Sequence, residues 1–107
     1  MFAAHHALPI TLVIDRNTYQ VQGSTESICA LEPFGEKWNA FGWRVEHVDG
    51  HDVDALQEAF RIDYNPLVLI AHTTKGKGVS FMEGAHDWHH GSIKGEMLDR
   101  ARAELGT

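Results

Sequence analysis

Residues 10–23 read ITLVIDRNTYQVQG. Ile10, Leu12, Val13 and Ile14 form a short apolar run rich in β-branched side chains, and the run stops at the polar group Asp15, Arg16, Asn17. That pattern predicts a buried parallel strand that ends in a loop. In an open α/β sheet, ligands bind beyond the carboxyl ends of the strands, which is where Asn17 and the residues after it would stand. An asparagine side-chain carbonyl, together with a neighbouring backbone carbonyl, is a good ligand for a hard cation. Asparagine also shapes turns, and from this stretch alone both readings stand.

Toward the N-terminus, MFAAHHALP looks like the last turns of an amphipathic helix. Phe2, Ala3 and Ala4 are helix-tolerant, while His5, His6 and Pro9 mark a helix end running into the strand. The segment lacks a basic flank and is too short for a secretory signal or a membrane span.

Toward the C-terminus, Gly23, Ser24 and Thr25 open a loop that carries Cys29 and continues to Pro33. From Pro33 the pattern changes to helix: Leu31, just before it, and Phe34, Trp38 and Phe41 recur at helical spacing, with Pro33 in the first turn and Gly42 as the C-terminal cap. This aromatic stripe is expected to face a core. Trp43–Val48 alternates as a strand, and Asp52 is a suitable N-cap for a helix from Val53 to about Ile62 whose apolar face is Val53, Leu56 and Phe60. Leu67–Ala71 is a strand of the fully buried kind, and Ile93–Leu105 an amphipathic helix with Leu98, Ala101 and Leu105 on one side. Strands separated by helices imply right-handed βαβ crossovers and an α/β fold with a parallel sheet.

The connection His72–Gly91 carries chemistry. It opens HTTKGKG, a lysine (Lys75) framed by Gly76 and Gly78 at a strand's carboxyl end. Glycines admit an anion close to backbone N–H groups and a lysine adds a point charge, although a flexible basic turn reads the same way. The spacing is not that of a P-loop. Farther on stand His86, Asp87, Trp88, His89 and His90. Without a cysteine partner or HExxH spacing they suit hydrogen bonding or proton transfer better than a zinc site.

In bulk the chain resembles an ordinary soluble protein, with 107 residues that are 43% hydrophobic and 22% charged. That length allows one domain or part of one. The net charge of −6, with no basic stripe, gives no nucleic-acid footprint. The single cysteine forms no internal disulfide, so the cytoplasm is the expected compartment.

Taken together, VIDRNTYQVQG, LEPFGEKWNAFGW, VDGHD, IAHTTKGKGVSFME and DWHHG resemble the thiamine-diphosphate-binding domain of transketolase, in particular the separate N-terminal subunit of two-subunit transketolases. The resemblance covers nearly the whole chain. It implies the thiamine-diphosphate-binding fold and ketol transfer between sugar phosphates. It further implies that Asn17 binds magnesium or calcium by its side chain and Tyr19 by its backbone carbonyl. Lys75 would contact the diphosphate region of the cofactor, and His89 would lie near the diphosphate and donor substrate as the catalytic histidine. The glutamate that activates the aminopyrimidine would come from a C-terminal, pyrimidine-binding partner subunit in a homo- or hetero-oligomer.

The family's GDG motif, whose aspartate ligates the metal, does not occur in these 107 residues; the opening MFAAHH looks like the helix that follows it. The expectation is therefore a C-terminal portion of the domain, incomplete at its N-terminus and inactive alone. A segment of a deoxyxylulose-phosphate synthase or of a 2-oxo-acid dehydrogenase E1, or a remnant that binds no cofactor, are the alternatives.

Overall fold

The structure is a computed structural model and describes residues 1–106. In chain order the elements are α1 (Phe2–His5), β1 (Thr11–Arg16), β2 (Tyr19–Gln20), β3 (Gly23–Ser24), α2 (Thr25–Ile28), α3 (Phe34–Ala40), β4 (Arg44–Asp49), α4 (Val53–Phe60), β5 (Leu67–His72), a 3-10 turn (His86–His89) and α5 (Glu96–Leu105). They fall into two compact units. The first comprises residues 1–16 and 31–73, and the second residues 17–30 and Thr74 onward.

The first unit is built on a three-stranded, all-parallel sheet in the order β1-β5-β4. β5 is central because its sequence is apolar on both faces: Leu67, Val68, Leu69 and Ile70 are almost wholly excluded from solvent. Val48, Ala59, Leu67, Leu69 and Ala71 form its core, with Ala55, Leu56 and Ile62 packed against them. The expected α/β fold with a parallel sheet is thus present. The chain leaves this unit twice, after Arg16 and after Thr73, and the two exits are adjacent. Arg16 pairs with His72 in the β1–β5 register, and the Thr73 N–H donates to the Arg16 carbonyl at 3.3 Å.

Several local readings hold to the atom. Asp52 caps α4, accepting from the Ala55 N–H at 3.0 Å. Gly42, at φ +85°, ends α3 in a Schellman motif: Trp43 N–H donates to Trp38 O and Gly42 N–H to Asn39 O.

Others are corrected. β1 does not stop at Ile14 but runs through Asp15 and Arg16, because Arg16 has somewhere to go. Its guanidinium is buried against Glu32 at 2.8 Å and lies over the Phe34 ring. Nor is β1 buried on both faces; Val13 is 45% exposed, since among the described residues the strand pairs only with β5. Pro33 is the N-cap of α3, with extended backbone, and the helix starts at Phe34. The α3 stripe is only half-buried, and Phe41 is exposed. On α4 the buried side is Ala55, Leu56 and Ala59, whereas Val53 and Phe60 are exposed. On α5, Leu105 likewise lies exposed, although Ala101 is buried as expected.

In the second unit, the segment read as a loop from Gly23 is structured. β2 and β3 form an antiparallel hairpin, Tyr19 opposite Ser24 and Gln20 opposite Gly23, and the chain passes directly into α2. Ser24 caps that helix through the Ser27 N–H. α5 is tied to the long connection by Glu104, whose carboxylate accepts from the Ser80 hydroxyl at 2.8 Å and from the Ser80 N–H.

Candidate functional site

All four residues singled out from the sequence, Asn17, Tyr19, Lys75 and His89, belong to the second unit. Asn17 follows directly on β1. Its side-chain oxygen accepts the Tyr19 N–H at 2.9 Å, closing an Asx turn. Inside that turn Thr18 has φ +66°. A β-branched residue in the left-handed region is a genuine outlier that costs about 1–2 kcal/mol. It is held there from outside: the Thr18 carbonyl accepts both the Thr25 N–H, at 2.8 Å, and the Thr25 hydroxyl, at 3.2 Å, at the start of α2. Strain of this kind concentrates at functional positions.

The donor set can be tested against a hard cation. The Asn17 oxygen uses one acceptor position on the Tyr19 N–H and retains a second, because an amide carbonyl has two lone pairs. The Asx turn fixes the direction of that oxygen. It and the Tyr19 carbonyl are both neutral oxygens of the kind magnesium and calcium take. The residues present therefore fit such an ion.

Lys75 opens a tightly closed segment. Its carbonyl accepts the Gly84 N–H at 2.9 Å, and the Lys77 N–H donates to Thr74 O. Gly76 and Gly78 both have positive φ, +71° and +89°. At Gly76 a side chain is excluded on packing grounds as well, since a Cβ would sit 2.5 Å from the Met82 carbonyl oxygen. The Gly78 N–H is already given to the Glu83 carboxylate, at 3.0 Å. Its anion is thus the chain's own, and the glycines here serve the path of the backbone. Lys75 as a residue is half-buried and, among the described residues, its side chain has no ion-pair partner.

His89 ends the 3-10 turn and is exposed, its ring edge-on to His90 at 5.0 Å. Trp88 secures the turn. Its indole N–H donates to Phe81 O at 3.0 Å, and its ring lies 5.6 Å from that of Phe81. β2 packs on this turn, and the Tyr19 hydroxyl lies beside Gly84. The structure thus joins Asn17 to Tyr19 directly, and joins Tyr19 to both the Lys75–Gly84 closure and the turn of His89. No hydrogen bond or ion pair links the Lys75 and His89 side chains to Asn17 among the described residues. There is also no group of three or more His, Cys, Asp and Glu side chains placed to hold a metal, and His86 faces Asp87 at 3.1 Å.

Sequence reasoning missed Thr18, Thr25 and Glu83. Thr18 left no signal, because β-branched residues ordinarily avoid the conformation it adopts. Thr25 and the helix behind it could have been found from Ser24 followed by Glu26 and Ser27, a cap with an acidic first turn.

Comparison with known proteins shows what the chain is similar to. The family model described as "Transketolase, thiamine diphosphate binding domain" matches residues 2–107. The chain is 44% identical over 100 residues to one of the subunits of an apulose-4-phosphate transketolase from Phocaeicola vulgatus, a match covering 90% of this chain and 36% of that protein. It is 40% identical over 110 residues to a 6-deoxy-6-sulfo-D-fructose transketolase subunit of a Clostridium species, covering 98% of this chain and 40% of that one. The crystal structure of Campylobacter jejuni transketolase superimposes with a TM-score of 0.81 at 30% identity, over 98% of this chain and 17% of that one. The chain therefore spans about two-fifths of the length of these two curated relatives. No described helix is long and apolar enough to cross a membrane. With a family model matched from residue 2 to residue 107, the chain belongs to the transketolase family, as thiamine diphosphate binding domain sequence.

Proposed function

We infer that these residues form the C-terminal part of a cofactor domain in a transketolase-type enzyme, one that moves two-carbon ketol units between sugar phosphates in the cytoplasm. The observation that carries the reading is the strained Asx turn at Asn17–Tyr19, directly after a parallel strand, in a chain of this family. Asn17, by its side-chain oxygen, and Tyr19, by its carbonyl, would hold magnesium or calcium. Lys75 would neutralise the diphosphate. Bound thiamine diphosphate supplies the nucleophilic carbon and electron sink needed to break a ketose carbon–carbon bond.

The chain's own residues bind and orient. A lysine that, among the described residues, has no ion-pair partner is available to an anion. His89, exposed on a turn anchored by Trp88, would donate a hydrogen bond to a phosphate or a substrate hydroxyl and would move a proton there. The glutamate acting on the aminopyrimidine, and the remaining metal ligand, would lie outside these 107 residues. A pyrimidine-binding partner subunit fits the names of the relatives, which are themselves subunits.

Calorimetric titration of thiamine diphosphate with magnesium into the purified chain tests this. Micromolar binding that weakens at least tenfold in Asn17→Ala is the expected result. Absence of binding by demonstrably folded protein would show that these residues do not hold the cofactor by themselves and would favour the remnant.

A further inference from the structure

His47 on β4 and His72 at the end of β5 both belong to the first unit, whereas Asn17, Lys75 and His89 belong to the second. In the β4–β5 register His47 stands opposite Ile70 and Asp49 opposite His72. Because side chains alternate along a strand, the two histidines share one face, two positions apart. His47 Nδ1 and His72 Nε2 are 2.8 Å apart. The ring centroids are 5.1 Å apart and the ring planes 15° from parallel. That centroid separation is close to the nitrogen–nitrogen distance plus a ring radius at each end, so the rings meet edge to edge with nitrogens facing. Gly35 of α3 makes room for this: a Cβ there would lie 2.8 Å from His47 Nε2.

Two imidazole lone pairs cannot face each other at this distance without an electrophile between them. In the metal-free protein that electrophile is one ring's N–H proton. We propose that His47 and His72 form a two-imidazole site for a borderline divalent transition ion, Cu(II) or Ni(II) in preference to Zn(II). Nitrogens 2.8 Å apart, each about 2.0–2.1 Å from a shared ion, subtend roughly 85° at it, near the cis angle of square-planar or octahedral sites and well short of the tetrahedral angle zinc favours.

Binding needs each ring to turn its lone pair off the line joining the two nitrogens, which their exposure permits. The ring that donates must also move its proton to its other nitrogen. No net proton is released, and water fills the remaining coordination positions. The site is distinct in chemistry from the oxygen donors of Asn17 and Tyr19, and its presence does not depend on the proposed ketol transfer.

The test is Cu(II) titration of the purified chain followed by electron paramagnetic resonance. One ion with two imidazole nitrogens is expected in the unaltered protein. His47→Gln and His72→Gln should each leave one nitrogen and weaken binding at least tenfold. In the unaltered chain, substoichiometric Cu(II) should broaden the ring NMR signals of His47 and His72 first, a readout independent of whether either variant folds. Affinity and nitrogen count unchanged in both variants would overturn the site. So would broadening confined to His5 and His6, or to His86, His89 and His90.

Discussion

At the scale of single residues, the second unit turns on Thr18. Its left-handed backbone is unfavourable for a β-branched side chain, and the two hydrogen bonds from Thr25 to its carbonyl hold it. Asparagine tolerates this conformation better, and Thr18 is exposed, so little packing is lost. Thr18→Asn is therefore expected to raise stability by roughly 0.5–1 kcal/mol, read as a higher urea midpoint with unchanged slope. A lower midpoint would mean that the threonine side chain contributes something beyond its backbone. The position of Asn17 at a strand end was legible in the sequence because hydrophobic runs announce strands. That Asn17 could shape a turn was legible as well, and its side-chain oxygen does so; the left-handed Thr18 inside the turn was not, since it depends on a partner, Thr25, that sequence periodicity does not reveal.

At the scale of elements, the long connection before α5 is held by two devices, each open to a separate perturbation. The first is Gly76, where positive φ coincides with a backbone contact: Ala would place its Cβ against Met82 O and strain the backbone as well. Gly76→Ala should cost at least about 1–2 kcal/mol, measured by thermal or urea unfolding. It should also raise hydrogen exchange at the Gly84 N–H, whose bond to Lys75 O closes the segment.

The second device is Glu104, whose carboxyl is held below its ordinary pKa by the Ser80 N–H first and the Ser80 hydroxyl second. A carboxyl with a depressed folded pKa contributes stability that is complete above its unfolded value and is lost as pH falls through the folded one. Protection of the Ser80 amide should therefore be full above about pH 4.5 and decline below it, and Glu104→Gln should flatten that profile. A profile unchanged in Glu104→Gln would assign the acid sensitivity to another group. KGKG was legible as a special segment through its glycines, but the use of the Gly78 N–H by Glu83 was not, because a carboxylate five residues on carries no periodic signature.

At the scale of the whole molecule, stability is concentrated in β5 and thins toward the strands beside it. The apolar run Leu67–Ile70 was legible as a central strand, and removing its middle is the most disruptive single change: Leu69→Ala should cost about 2–5 kcal/mol in urea unfolding. β1 was misjudged as buried because its composition matches that of β5. What separates them is the number of neighbours, which composition alone does not encode. Among the described residues β1 offers one unpaired edge, and Ile10 and Val13 are 41% and 45% exposed beside it. An unpaired strand edge flanked by β-branched apolar side chains is a template for pairing with another chain. In the purified 107-residue chain this should appear as concentration-dependent association in sedimentation velocity. Val13→Lys places a charge on that exposed position, while β1 keeps its pairing with β5 through the backbone. It should shift the distribution toward monomer with little loss of stability. If association persisted undiminished in Val13→Lys and fell instead in Phe60→Lys, the contact would lie on the exposed side of α4, and β1 would be protected by some other feature of the folded chain.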